Sequence, residues 1–238
     1  MAPTVVLLHG FTNTGRSWDG VVAALSGYEP LAPDIRGHGK SSDARPVTLD
    51  GVLDDIANLS SGASTLAGYS MGGRIALHAA LMLPDRVQRL VLIGASPGLR
   101  DATARAERRA VDERLAEELE HSTIERFVQR WARTPLLADQ PPEVRARVDE
   151  DRLRNGPAGL AAALRGLGTG VLPSLWPRLE RLAIPVELMV GERDEKFQAV
   201  ARQMVEQLPD GRLTVVPGAG HGVHWEVPDA VAGTISSG

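Results

Sequence analysis

Six short apolar runs, each ended by turn-forming residues, recur along the chain and constrain its fold more than any other feature. They are Thr4–Leu8, Glu29–Ala32, Ala63–Gly68, Arg89–Gly94, Pro185–Val190 and Arg212–Val216. Continuous apolar runs of this length are typical of strands buried on both faces of a parallel sheet. Helix-like stretches lie between them, over Ser17–Leu25, Thr48–Leu59, Met71–Leu83 and Glu195–Leu208. The alternation predicts an α/β fold with a mainly parallel sheet and helices on both faces.

Residues 99–175 interrupt this alternation with helical, strongly charged sequence. They predict a helical insertion between two strands, so we expect a core formed by residues 1–98 and 176–238 and a helical cap over residues 99–175. A solvated appendage would account for the charge, since charged stretches usually face water. A lid over an active site is the sharper hypothesis.

Composition excludes several classes of protein. The 238 residues carry 26 basic and 30 acidic side chains, a net charge of -4, which argues against a nucleic-acid-binding protein. There is no cysteine, so disulfides, thiolate metal sites and a cysteine nucleophile are excluded, and no His/Asp/Glu cluster has metal-ligand spacing. The run Val5–Leu8 is too short for a signal peptide, and no apolar run approaches the roughly 18 residues of a membrane span. We therefore expect a cytoplasmic protein without metal or cofactor, with a monomer as the default.

The pattern G-x-S-x-G at Gly68–Gly72 lies between a predicted strand and a predicted helix. In that context small residues allow the chain to turn sharply, and the turn exposes the serine hydroxyl. The start of the helix also directs backbone N–H groups toward negative charge. The sequence therefore predicts a nucleophile elbow with Ser70 at its apex.

A reactive serine needs a base and an orienting carboxylate, which in this fold follow it in the order acid, then histidine. Asp194 follows one predicted strand and His221 follows the last, both at the sheet edge where such sites lie. Glu192 and Glu195 are alternatives to Asp194. His224 is the alternative to His221, but we expect it to support the site or contact the substrate.

The oxyanion hole of such a site consists of two backbone N–H groups. One is predicted at Met71, the residue after the serine, and the other at Phe11, just after the first strand. His9 precedes Phe11, and we expect it to brace this loop through hydrogen bonds.

These motifs together resemble the α/β-hydrolase superfamily. The resemblance is carried by Leu8–Phe11, Asp34–Gly39, Gly68–Gly73 and Gly220-His221. The middle of the chain is similar to one family within it, the 2-succinyl-6-hydroxy-2,4-cyclohexadiene-1-carboxylate synthases of menaquinone biosynthesis. The segments that carry this narrower similarity are Ala95–Leu99, Glu107-Arg108 with Asp112, Phe127–Trp131, Arg152–Asn155, Leu164–Gly170, Pro173–Trp176 and Gly191–Phe197. Members of the family usually have an antiparallel strand pair before the first strand, which we expect to be absent here.

The resemblance implies a lyase that eliminates pyruvate from 2-succinyl-5-enolpyruvyl-6-hydroxy-3-cyclohexene-1-carboxylate, with Ser70 acting as a base and no covalent acyl-enzyme. Its substrate is a small polycarboxylate, for which arginine is well suited because its planar fork can bind both carboxylate oxygens. Arg74 lies one helical turn after Ser70. Arg108 and Trp131 match substrate-binding positions of the family. The alternatives are an exposed salt bridge for Arg74, and Arg109 in place of Arg108.

Two other functions stay open from the sequence. One is a carboxylesterase, thioesterase or carbon–carbon bond hydrolase that uses Ser70 as a covalent nucleophile. The other is a noncatalytic ligand-binding member of the superfamily, which would have no need of a complete serine, histidine and aspartate set.

Overall fold

The computed structural model describes residues 2–59, 62–134, 137 and 140–237. Its strands are β1 (Thr4–Leu8), β2 (Glu29–Leu31), β3 (Ser64–Tyr69), β4 (Val87–Ile93), β5 (Val186–Gly191) and β6 (Gly211–Val216). The helices of the first part are α1 (Asp19–Ala24), α2 (Leu49–Leu59) and α3 (Met71–Met82). Those between β4 and β5 are α4 (Ala102–Glu120), α5 (Ile124–Trp131), α6 (Pro142–Arg152) and α7 (Pro157–Leu167). Those that follow are α8 (Glu195–Val205), α9 (Val223–Glu226) and α10 (Pro228–Ser236).

The six strands form one sheet in the order β2-β1-β3-β4-β5-β6, and every pairing among the described residues is parallel. All six predicted strands are therefore confirmed, with ends that differ by at most two residues. The carboxyl ends of parallel strands meet at one edge of the sheet. The residues that follow β1, β3, β4, β5 and β6 are thus brought together there.

Alternate residues of β1 pack into two different apolar clusters, as expected for a strand covered on both faces. Val6 and Leu8 pack with α2, α3 and α8, whereas Val5 and Leu7 pack with α1 and α10. The predicted arrangement of helices on both faces of the sheet is confirmed.

The segment between β4 and β5 contributes a smaller apolar cluster of its own. Its members come from α4, α5 and α7 and are Ala116, Leu119, Phe127, Val128, Leu160, Ala161 and Leu164. Phe11, from the loop after β1, packs against this cluster. These three helices therefore lie next to the carboxyl edge of the sheet, at the loop where the oxyanion hole is predicted.

No helix in the described part of the chain combines the length and the apolar character that crossing a membrane requires.

Candidate active site

Ser70 occupies the sharp turn between β3 and α3. Its backbone has φ 50° and ψ −106°, a combination that a non-glycine residue rarely adopts. The turn depends on Gly72, because a Cβ there would lie 2.1 Å from the carbonyl oxygen of Leu8. The Ser70 N–H donates to the Ile93 carbonyl at 2.9 Å, which fixes the turn to the end of β4. The geometry of a nucleophile elbow is thus present at Gly68–Gly72.

His221 and Asp194 form a short, buried hydrogen-bonded pair. His221 Nδ1 lies 2.6 Å from Asp194 Oδ2, and both side chains are about 2% exposed. Asp194 also caps α8, because its Oδ1 accepts from the Phe197 N–H at 3.3 Å. An Nδ1 that donates to the carboxylate leaves Nε2 as the nitrogen that can accept a proton.

The imidazole of His221 lies against β3 and β4. A Cβ on Gly94 would come within 2.8 Å of His221 Cε1, and the Tyr69 ring is centred 5.1 Å from the His221 ring. Tyr69 directly precedes Ser70. Gly94 directly follows Ile93, whose carbonyl accepts the hydrogen bond from the Ser70 N–H. Among the described residues no hydrogen bond joins Ser70 Oγ to His221, so the assembled part of the predicted triad is the His–Asp pair.

The alternative acids and base lie elsewhere. Glu192 is exposed and accepts from the Gly218 N–H at 2.8 Å, and Glu195 is exposed in the first turn of α8. His224 is buried, with its ring 4.2 Å from that of Tyr69 and 4.8 Å from that of Trp18. Burial lowers the pKa of His224 to about 3. His224 therefore packs behind Tyr69, away from the residues that line the cavity over Ser70.

Two backbone N–H groups are available beside Ser70. Those of Phe11 and Met71 donate no hydrogen bond to any described residue, and both residues line the same cavity as Ser70. His9 braces the preceding loop, since its Nε2 accepts from the Ile35 N–H at 2.9 Å while Nδ1 contacts the Gly10 carbonyl at 2.9 Å. Burial lowers the pKa of His9 to about 4, so the ring is neutral at pH 7.

The cavity over Ser70 has a volume of about 480 Å³ and is lined by basic side chains. We call Arg74, Arg100, Arg108 and Lys196 the cationic wall. No Asp or Glu lines the cavity among the described residues. Its remaining lining is largely apolar, which strengthens the attraction between the cations and an anionic ligand.

Arg74 is the buried member of the cationic wall, at 7% exposure. It donates to Thr169 Oγ1 at 2.8 Å and to the Leu167 carbonyl at 3.1 Å, whereas its Nε has no partner among the described residues. Burial, reinforced by the nearby charge of Arg108, lowers the pKa of Arg74 to about 10, so it stays charged at pH 7. The alternative of an exposed salt bridge is wrong.

Arg108 and Trp131 face the same cavity from α4 and α5. Arg108 Nε pairs with Asp112 Oδ1 at 2.8 Å, with its side chain 43% exposed. Trp131 stacks on Phe127 and meets the Phe11 ring edge-on at 5.5 Å. Arg109 instead donates to the Gly170 carbonyl and does not line the cavity.

Arg100 and Lys196 are cavity residues that the sequence analysis did not single out. The Arg100 guanidinium lies 3.7 Å from the centre of the Trp176 ring, a cation–π geometry. Lys196 is exposed, two residues after Asp194, with no carboxylate in ion-pair distance among the described residues. Its place in the first turn of α8, directly after the loop that follows β5, is the one signal that could have found it.

No group of three or more metal-binding side chains occurs among the residues that the structure describes. The arrangement offers instead a His–Asp pair, a half-buried serine that lines the cavity, two N–H donors that no described residue uses, and a cationic cavity. Such a set can move a proton, stabilise a developing oxyanion and bind an anion.

The chain is similar to known proteins over most of its length. A model of the alpha/beta hydrolase family matches residues 5–234. The 2-succinyl-6-hydroxy-2,4-cyclohexadiene-1-carboxylate synthase of Salmonella paratyphi A is 34% identical over 99% of this chain and 93% of its own length. A Bacillus subtilis (strain 168) protein, to which the same name is provisionally assigned, is 38% identical over 94% of this chain and 85% of its own.

The fold comparison gives the same result. The solved structure of MenH from S. aureus has a TM-score of 0.93 and 32% sequence identity, covering 100% of this chain and 93% of that one. The chain therefore belongs to the alpha/beta hydrolase family and, within it, to the 2-succinyl-6-hydroxy-2,4-cyclohexadiene-1-carboxylate synthases.

Proposed function

We propose that this protein is a lyase that eliminates pyruvate from 2-succinyl-5-enolpyruvyl-6-hydroxy-3-cyclohexene-1-carboxylate to give 2-succinyl-6-hydroxy-2,4-cyclohexadiene-1-carboxylate. The observation that carries the proposal is the cavity over Ser70, where four cations and no lining carboxylate side chain surround the serine among the described residues. A neutral ester would derive no benefit from such a wall, whereas a polycarboxylate would.

In this proposal Ser70 acts as a base and His221 takes up its proton. Asp194 holds the imidazole by its Nδ1, as the 2.6 Å contact supports, and stabilises the imidazolium that forms. Ser70 Oγ removes the ring proton next to the succinyl carbonyl, and the electron pair moves onto the carbonyl oxygen. The N–H groups of Phe11 and Met71 would stabilise that enolate oxygen.

Collapse of the enolate completes the elimination. The electron pair returns to form a ring double bond between carbons 2 and 3, and the existing double bond between carbons 3 and 4 shifts to carbons 4 and 5. The bond between carbon 5 and the enolpyruvyl oxygen breaks as the shift completes. The departing enolpyruvate takes up a proton and becomes pyruvate. No bond between Ser70 and the substrate forms at any stage, and the reaction needs neither a redox step nor a cofactor.

The substrate carboxylates would bind the cationic wall. We assign one to Arg74, whose buried guanidinium donates, among the described residues, only to the neutral oxygens of Thr169 and Leu167. Arg108 could bind a second carboxylate of the substrate, because its side chain is more exposed than that of Arg74 and lines the same cavity. Trp131, at the end of α5, packs between the rings of Phe11 and Phe127 and can donate its indole N–H to a carboxylate.

We propose residues 99–175 as a cap over a core of residues 1–98 and 176–238. The separate apolar cluster of α4, α5 and α7 supports this division, as does the contribution of α4, α5 and α7 to the cavity lining. We also propose, on composition, a cytoplasmic monomer that binds a small molecule and no nucleic acid.

Pyruvate release from the enolpyruvyl substrate by the purified protein tests the proposed function. The wild type and the control Ser122→Ala, on the loop between α4 and α5, should release pyruvate at equal rates. Ser70→Ala should lose about 10⁴-fold in kcat, the scale of loss for a residue at the centre of a catalytic set. An enzyme that releases no pyruvate but cleaves simple aryl esters rapidly would contradict the lyase and favour a serine hydrolase.

A further inference from the structure

The loop that carries Phe11 is held from the side of the α4–α7 segment as well as from the core. This loop, residues 9–14, joins β1 to a short 3-10 helix at Gly15–Trp18. Thr12 within it has φ 70°, a conformation that a β-branched residue rarely adopts. A conformation of this kind persists only when surrounding contacts enforce it.

Asp151, at the end of α6, supplies most of those contacts. Its Oδ2 accepts from the Thr14 N–H at 2.9 Å and from Asn13 Nδ2 at 3.3 Å, and its Oδ1 accepts from the Thr14 hydroxyl. All three residues are buried, at 2–3% exposure. One carboxylate therefore fixes two successive residues of the loop.

Asn155 holds the strained residue itself. Its Nδ2 donates to the Thr12 carbonyl at 2.7 Å, and its Oδ1 accepts from the Gly39 N–H at 3.0 Å. Asn155 thereby joins the loop to the turn after β2, the same region that His9 reaches through the Ile35 N–H. The loop is thus fixed at both ends and at its strained centre.

In the described part of the chain, the hydrogen-bond donors to the buried Asp151 carboxylate are all neutral groups, which is an unfavourable arrangement for the stability of the fold. No cation lies within ion-pair distance of it among the described residues, so its buried charge is compensated by neutral donors. Burial raises the pKa of Asp151, against the opposing effects of the hydrogen bonds from Thr14 and Asn13 and of the charge of Arg154. A buried carboxylate without a cation in direct contact is costly, and such exceptions concentrate at functional sites.

We infer that Asp151 and Asn155 are positioning residues, which act through the loop of residues 9–14 to aim the Phe11 N–H at the developing oxyanion. The inference rests on the proposed function, because it assumes that the Phe11 N–H is an oxyanion donor. The same hydrogen bonds fix the end of α6 to the loop of residues 9–14.

Steady-state kinetics of pyruvate release by four variants tests the inference. Asp151→Ala should lower kcat about 30-fold, within the roughly 100-fold effect of a 1 Å misplacement, and leave KM within about twofold. Asp151→Asn keeps an oxygen for the Thr14 N–H and an N–H₂ group for its hydroxyl, so kcat should recover to within about threefold of the wild type. Glu150→Ala, its exposed neighbour on α6, should behave as the wild type.

Asn155→Asp tests the same positioning role without changing Asp151. It keeps the acceptor for the Gly39 N–H but places an oxygen against the Thr12 carbonyl, so kcat should fall about 10-fold with little change in KM. This variant decides the matter if Asp151→Ala does not fold. An unchanged kcat in the folded variants, or a loss that appears in KM instead, would overturn the inference.

Failure of the proposed function would look different. If the wild type itself releases no pyruvate, the lyase assignment fails, and the same variants are then measured on an aryl ester, whose hydrolysis also depends on the two N–H donors. Equal ester turnover by the wild type, Asp151→Ala and Asn155→Asp would then overturn the positioning role.

Discussion

The two sides of the cavity are built in different ways. The floor, formed by Ser70 with Asp194 and His221, is held by short hydrogen bonds and by glycines at which no Cβ would fit. The cationic wall has one buried member, Arg74, while Arg100, Arg108 and Lys196 are exposed and held by few contacts. The floor thus fixes reacting groups, whereas the wall leaves most of its charges free to adjust to a ligand. Changes in the floor should appear mainly in kcat, and changes in the wall mainly in KM.

Arg74→Ala should have the largest effect among wall variants. The substitution removes a buried cation that no other described side chain replaces at that point, so kcat/KM should fall about 10³-fold, mainly through KM. Arg109→Ala is the matched control, because Arg109 faces the Gly170 carbonyl, and its KM should stay within about twofold. Unchanged kinetics in Arg74→Ala would remove Arg74 from the binding site and weaken the distinction between wall and floor.

Acidification should destabilise the loop after β1 and the turn after β2, which adjoin the floor, and leave Arg74 charged. Burial lowers the pKa of His9 to about 4 and that of His38, in ring contact with it, to about 3, against 6.5 in the unfolded chain. The unfolded state therefore binds more protons below pH 6.5, and the stability present above that pH is lost as the pH falls toward 4. His9 alone should reduce the free energy of unfolding by about 2 kcal/mol at pH 5. Urea unfolding at pH 7 and pH 5 measures this, and equal stabilities would contradict it.

Gly94→Ala should damage the floor through His221. A Cβ at this position would lie 2.8 Å from Cε1 and 2.9 Å from Nδ1 of the imidazole, so the ring must shift and kcat should fall about 10²-fold. Gly218→Ala separates this contact from backbone strain, because its φ of 67° resembles the 52° of Gly94 while no atom of the described residues lies within 4 Å of the added Cβ. Both variants should lose thermal stability, but Gly218→Ala should keep its kcat. Equal losses of kcat would show that strain and not the ring contact matters.

Lys196→Gln should have the smallest effect of the four. Its exposed charge attracts the anionic substrate across solvent, so we expect KM to rise about fivefold at low ionic strength with kcat unchanged. The difference from the wild type should shrink as salt is added, since ions screen exposed charges. Lys40→Gln, at the other lysine of the chain and outside this cavity, should leave KM unchanged. A salt-independent rise in KM would point to a buried contact instead.

Sequence patterns anticipate the floor better than the wall for a physical reason. The strands and the elbow depend on short-range order, and the loops after β5 and β6 converge because parallel strands share a carboxyl edge. The role of Arg100 depends on its contact with Trp176, 76 positions later in the chain, and that contact is a property of the folded structure. The hydrogen bond between Asp151 and Thr14 joins residues 137 positions apart, so the sequence does not predict it either. Contacts between segments so far apart in the chain leave no periodic signal in the sequence.

The central claim is that Ser70 acts as a base and not as a covalent nucleophile. Intact-mass spectrometry of the wild type, quenched while it converts the enolpyruvyl substrate, tests this directly. We expect pyruvate to accumulate while the protein keeps the mass of the unmodified chain throughout turnover. A transient adduct that maps to Ser70 and is absent in Ser70→Ala would contradict it and assign the site to covalent acyl transfer.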